Sequence, residues 1–206
     1  RLKLVKANYL SQKYMLEDSL LKHYPREIRL TQERIKGYEM DIALYEQHRS
    51  EDFPGMLLCG THYAEKKDAG TAILEACKAM TSPEPKEVGS YRGFTLLLSY
   101  DIVAEVFRMT LRGELSHTVE LGSDIHGNIQ RIENMLESLP SRLSACEKAL
   151  ATLKEQMANA KAEVEKPFEQ EQELSEKTAR LAELDALLNI DKQENDVLDA
   201  EPEHQD

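Results

Sequence analysis

Residues 125–164 read IHGNIQRIENMLESLPSRLSACEKALATLKEQMANAKAEV. Within this stretch Ile125, Ile129, Ile132, Leu136, Leu139, Leu143, Cys146, Leu150, Leu153, Met157, Ala160 and Val164 recur in steps of four and three, the spacing of a heptad seam along one side of a helix. An apolar stripe this regular has to be covered by another helix, and the first fifty residues hold the only comparable pattern. There Ala7, Leu10, Tyr14, Glu17, Leu21, Tyr24, Ile28, Thr31, Ile35, Tyr38, Ile42 and Tyr45 repeat the spacing with two polar interruptions. Both seams cover about 39 residues, or roughly 58 Å of helix. The spacing predicts an antiparallel helical hairpin, a coiled-coil stalk with a first arm over 1–49 and a second over 123–166. The residues between the arms become an insertion at its tip.

Each arm contains a proline, and a proline inside a helix removes a hydrogen bond and crowds the preceding turn. With Tyr45 set opposite Ile125, Pro25 and Pro140 fall at nearly the same height, which predicts a shared elbow in the stalk.

The pattern changes at Ser50. Met56 to Tyr63 reads as a strand, and Glu65 to Met80 as a helix with Ala69, Ala72, Ile73, Ala76 and Cys77 on one face. Residues Glu87 to Tyr100, Ala104 to Arg112 and Leu115 to Leu121 are rich in Val, Leu, Phe, Tyr and Thr and read as consecutive antiparallel strands. Phe94, Leu96, Leu98 and Tyr100 share a face by two-residue alternation, as do Phe107, Met109 and Leu111. The inserted head over 50–122 is therefore expected to be a small α+β unit of order β-α-β-β-β. Ser123 or Asp124 is expected to cap the helix that follows. Lys166-Pro167-Phe168 interrupts the chain before one further helix over 167–190, marked by Leu174, Leu181, Leu184, Leu187 and Leu188.

The formal charge of -12 is unevenly spread. Residues 1–49 carry ten basic and seven acidic side chains, net +3, whereas residues 165–206 carry four basic and fourteen acidic, net -10. Residues 191–206 have almost no apolar side chains and are expected to form an acidic disordered tail. No apolar run approaches the roughly 18 residues of a membrane span, so no membrane partner is expected. The three cysteines, Cys59, Cys77 and Cys146, lack C-x-x-C spacing and suit a reducing, cytoplasmic setting. The chain begins at Arg1 within what already reads as helix, as a piece excised from a longer polypeptide would.

Little in the sequence points to chemistry. His117, Asp124 and His126 lie close together, but their spacing matches no metal site, and no metal or cofactor is expected. Cys77 and Cys146 sit on apolar helix faces and read as small buried hydrophobes. No phosphate-binding glycine loop is present. The head does carry Arg92 beside Tyr91 and Phe94, Arg108 and Arg112 on a neighbouring strand, and Lys66 and Lys67 at a helix start. Arginines with aromatic neighbours can hold a nucleic-acid backbone or stack on a base, so Lys66, Lys67, Tyr91, Arg92, Arg108 and Arg112 are the candidate contacts for weak DNA binding.

The phrases Tyr63-Ala-Glu-Lys-Lys-Asp-Ala-Gly70, Tyr91-Arg-Gly-Phe94, Leu111-Arg-Gly113, Leu115-Ser-His-Thr-Val119, Leu121-Gly-Ser-Asp-Ile-His-Gly-Asn-Ile129, Lys166-Pro-Phe168 and Arg180-Leu-Ala-Glu-Leu-Asp-Ala-Leu-Leu188 resemble the C-terminal region of large mobile-element proteins. Those proteins, of integrative and conjugative elements, combine an SNF2-like helicase region with an adenine-specific DNA methyltransferase. The resemblance implies an accessory module, itself not an enzyme, that positions the upstream helicase and methyltransferase domains on DNA or on another protein. The alternative from another class is a stand-alone acidic protein acting as a DNA mimic or protein-binding inhibitor. Mimicry needs ordered carboxylates on a rigid surface, and the acidic excess here lies toward the C-terminal end.

Overall fold

The computed structural model describes the backbone of residues 1–198 and the side-chain surroundings of residues 1–187. The chain is mixed α+β, with a 46-residue helical run at its start and a six-stranded antiparallel sheet. It divides into two compact units, Pro25–Glu155 on the one hand and Arg1–Tyr24 with Gln156–Asp206 on the other. Among the described residues no helix is long and apolar enough to cross a membrane.

The opening run comprises α1 (Leu2–Asp18), a π-helical turn (Ser19–His23) and α2 (Tyr24–Gln47). Pro25 explains the turn. Its ring crowds the carbonyl four residues back, and the chain widens locally so that the Tyr24 N–H donates to the Ser19 carbonyl, five residues earlier. A π turn holds one extra residue, so it rotates the helix face that precedes it. Beyond the turn the expected seam holds: Tyr24, Ile28, Thr31, Ile35, Tyr38 and Ile42 are half-buried and Tyr45 is buried. Before it the expected seam fails, because Ala7, Leu10, Tyr14, Glu17 and Leu21 are exposed while Leu2, Lys6, Tyr9, Lys13, Leu16 and Leu20 are half-buried. The heptad count, continued through the extra residue, is out of phase by one position.

The sheet contains β1 (Met56–Leu58), β2 (Thr61–Tyr63), β3 (Lys86–Tyr91), β4 (Phe94–Asp101), β5 (Val106–Arg112) and β6 (Ser116–Glu120), in the order β2-β1-β3-β4-β5-β6. The helix α3 (Lys66–Lys78) lies in the chain between β2 and β3. The expected order of four strands is corrected to six, since two of the expected strands are hairpins. Met56–Tyr63 turns at Cys59-Gly60, and the stretch from 86 to 101 turns at Arg92-Gly93. All four turn residues have positive φ, 49° and 82° in the first turn and 46° and 83° in the second, as a two-residue type I′ connection requires. Glycine supplies only the second position of each turn. Without an Asn-Gly or Asp-Gly pair, the turns read as uninterrupted strand.

One face of the sheet carries Met56, Leu58, Tyr91, Phe94, Leu96, Leu98, Met109 and Leu111, all buried. The expected alternation in β4 and β5 is therefore real. Ala69, Ala72, Ile73 and Cys77 of α3 pack into this core, and so do residues of α4 (Ile125–Glu137), namely Ile129, Ile132, Met135 and Leu136. The start of the expected second arm thus shares one core with the sheet and α3. Asp124 caps α4 by accepting from the His126 and Gly127 N–H groups.

Ser138 separates α4 from α5 (Leu139–Glu165), and Pro140 falls in the first turn of α5, where its missing N–H costs nothing. In place of the expected shared elbow, a π turn precedes Pro25 and a helix restarts beside Pro140. Every one of the twelve seam positions from Ile125 to Val164 is buried or half-buried. The break at 166–170 also holds, and α6 (Glu171–Leu198) follows. Helix α6 runs eight residues past 190, into the stretch expected to be disordered, because regular helix bonding continues there despite the poor apolar content. The rest of that expected tail, 199–206, lies outside the described residues.

Candidate functional site

Three polar or exposed features stand out in the unit Pro25–Glu155. The first is a buried carboxylate on α2. Asp41, 1% exposed, accepts from the Glu114 N–H at 2.6 Å and the Leu115 N–H at 3.0 Å, and pairs with His117 Nε2 at 2.7 Å. Tyr38 and Phe94 flank the imidazole, with ring centroids at 5.7 and 6.2 Å. The β5–β6 turn reaches Asp41 because Gly113 has no side chain, since a Cβ there would collide with the carboxylate. On the helix side, a Cβ at Gly37 would stand 2.6 Å from the Leu115 side chain. Small residues on both surfaces therefore let the turn seat on α2.

The second feature is the Arg92-Gly93 turn. Arginine at positive φ carries a local cost of the order of 1 kcal/mol, and the conformation buries the guanidinium beside Glu133 of α4. Arg92 Nε donates to Glu133 Oε1 at 3.1 Å and Nη1 donates to the His48 carbonyl at the end of α2 at 3.1 Å. The Tyr91 hydroxyl donates to the same Glu133 oxygen. Burial, then the hydrogen bond and charge of Glu133, raise the Tyr91 phenol well above its ordinary value. Tyr45 is raised as well, first by burial and then by the Glu133 carboxylate. This cluster forms one wall of a polar cavity of about 580 Å³, completed by Arg49, Lys66, Gln130 and Glu137 among others. The phenols stay protonated and Glu133 Oε1 takes two donors, so the arrangement works as a joint between strand turn and helices.

The third feature is the tip of the β4–β5 hairpin. Asp101 accepts from the Val103 and Ala104 N–H groups, both at 2.9 Å, and ion-pairs with Arg108 at 3.0 Å. The Ala104 hydrogen bond foremost, with Val103 and the Arg108 charge, holds its carboxyl below the usual range. The turn so fixed presents Ile102 and Val103 to solvent, 67% and 97% exposed. Beside them lies a groove of about 390 Å³ lined by Met80, Pro83, Tyr100 and Phe107, with the last two rings 4.8 Å apart. Two consecutive β-branched residues at a turn are the signal in the sequence.

The six candidate nucleic-acid contacts are not brought together. Tyr91 and Arg92 are buried in the joint, where Arg92 pairs with Glu133 and lines the polar cavity. Arg108 and Arg112 lie on the open face of the sheet, each already paired: Arg108 with Asp101 and Glu120, Arg112 with Glu87 at 3.3 Å. Lys66 and Lys67 are exposed in the first turn of α3, and Lys66 shares the polar cavity with Arg92. Of the other chemistry-bearing residues, His117 belongs to the Asp41 joint, Asp124 is a cap and His126 is exposed. Among the described residues no three His, Cys, Asp or Glu side chains group as a metal site requires.

Cys77 is buried as expected, and Cys146 is half-buried. Burial pushes the Cys77 thiol up to about 11, which leaves only about one molecule in a thousand as thiolate at pH 8. Cys59 is exposed in the β1–β2 turn. A thiol titration in native buffer is expected to modify Cys59 promptly and Cys77 only on unfolding, and prompt labelling of Cys77 would mean that the α3 face is open. Comparison with family models, with curated proteins and with solved structures found no match to the chain.

Proposed function

We propose that the chain is a noncatalytic interaction module in which a coiled-coil stalk carries a small inserted α+β head, serving a larger DNA-processing protein of the helicase and DNA methyltransferase kind that its sequence resembles. Its task is to position that larger protein by docking on a protein surface. The β4–β5 hairpin carries this reading. It is held rigid by Asp101, yet it exposes Ile102 and Val103 beside an apolar groove, at the end of its strands opposite the turns that seat on α2. Exposed apolar surface on an ordered element is a feature of protein contact sites.

The placement of charge supports a protein partner over DNA. A phosphate approaching Arg108, Arg112 or Arg92 would have to compete with a carboxylate already paired with each. A titration of the 206-residue chain with labelled duplex at about 50 mM salt is expected to show no binding. Salt-dependent binding that disappears in the Arg108→Ala/Arg112→Ala variant would overturn the protein-docking reading and return the head to nucleic acid.

A further inference from the structure

The unit formed by Arg1–Tyr24 and Gln156–Asp206 leaves two apolar stripes uncovered. On α1 and the π turn, Leu10, Tyr14 and Leu21 are 50%, 70% and 78% exposed. They follow the heptad spacing, on the face that the extra residue of the π turn rotates away from the half-buried side. On α6, Leu181, Leu184 and Leu187 are 50%, 46% and 60% exposed. We propose that these stripes bind each other between two copies of the chain, α1 of one copy against α6 of the other, in a two-fold symmetric dimer.

Three observations name a second copy as the occupant. The exposed stripe of α1 from Leu10 to Leu21 runs roughly 16 Å along its helix and that of α6 from Leu181 to Leu187 roughly 9 Å, so the first is long enough to cover the second. They are complementary in charge, because residues 1–23 hold five basic and two acidic side chains and residues 171–187 two basic and five acidic, which leaves +2 against -2 once the Lys6–Glu171 pair made within one copy is set aside. A pairing of α6 with α6 would instead set two acidic helices together. Finally, the α5–α6 turn is pinned to an adjacent face of α1, about 100° around the helix from the exposed stripe. Tyr9 Oη donates to the Lys166 carbonyl at 2.6 Å, the Phe168 ring lies 5.3 Å from the Tyr9 ring, and Lys6 pairs with Glu171 at 2.6 Å. The start of α6 is thereby held at the face of Lys6 and Tyr9, while the exposed stripe of α1 lies around the helix from it. A two-fold exchange covers both stripes of both copies at once, since each copy offers the surface that the other needs.

Light scattering on the 206-residue chain from about 1 to 100 μM is the test. A dimer is expected, weakened at least tenfold by Tyr14→Asp/Leu21→Asp and equally by Leu181→Asp/Leu184→Asp, with helical circular dichroism unchanged because all four positions are exposed. Mixing the two variants is the decisive arm. One has an intact α6 and the other an intact α1, so together they form one good pair and are expected to give a mixed dimer that neither forms alone. A monomer at all concentrations would overturn the proposal, as would a dimer indifferent to the α1 substitutions, which would signal α6 pairing with itself. If either variant loses helix, Leu21→Ser and Leu184→Ser replace the double substitutions in the same mixing arm.

Discussion

Replacing Asp41 with alanine is expected to destabilise the unit Pro25–Glu155 by about 3–5 kcal/mol, from the loss of three hydrogen-bond partners at one residue, one of them buried and two part-buried. The carboxylate accepts from two backbone N–H groups of the β5–β6 turn and pairs with His117, itself 2% exposed. Alanine removes every acceptor and leaves the Glu114 and Leu115 N–H groups with no partner on the side where the turn seats against α2. Water cannot readily replace the carboxylate, since Gly113 is in van der Waals contact with it and Leu115 fills the space over Gly37. Asp41→Asn keeps the shape and one acceptor, so it should lose less than alanine does. Urea unfolding followed by circular dichroism checks both, and a loss under about 1 kcal/mol for alanine would mean that the turn is held by packing alone.

Leu136→Ala is expected to cost about 2–5 kcal/mol, whereas Leu153→Ala should cost about 1–2 kcal/mol. Both residues belong to the same heptad seam and would rank equally on spacing. Their surroundings differ: Leu136 is fully buried in the core shared by the sheet, α3 and α4, and Leu153 is half-buried on α5. Truncation at the first leaves a cavity walled by strands and helices that cannot collapse together, while at the second solvent already touches the side chain. Paired unfolding curves decide the matter. Equal losses would mean that the distal part of the seam is as tightly covered as the core around the sheet.

The sequence alone determined the features that depend on local periodicity or on a local cap. The heptad stripe from Ile125 to Val164, the alternation of Phe94, Leu96 and Leu98, the Asp124 cap and the break after Glu165 all rest on residues within a few positions of one another. The α+β class followed from them. Tertiary structure divided the stripe from Ile125 to Val164 by taking Ile129, Ile132 and Leu136 into the core shared by the sheet and α3. It also decided the phase of α1, where accommodation of Pro25 adds one residue to a turn and moves the half-buried face from Leu10 and Tyr14 to Tyr9 and Lys13. The polar joints were illegible for a related reason. Asp41 meets its partners 73 to 76 residues away, and Glu133 meets Arg92 and Tyr91 at separations of 41 and 42. A carboxylate on a helix reads as solvated until the fold brings donors to it, and Arg92 reads as a free cation until its turn takes a positive φ and buries it.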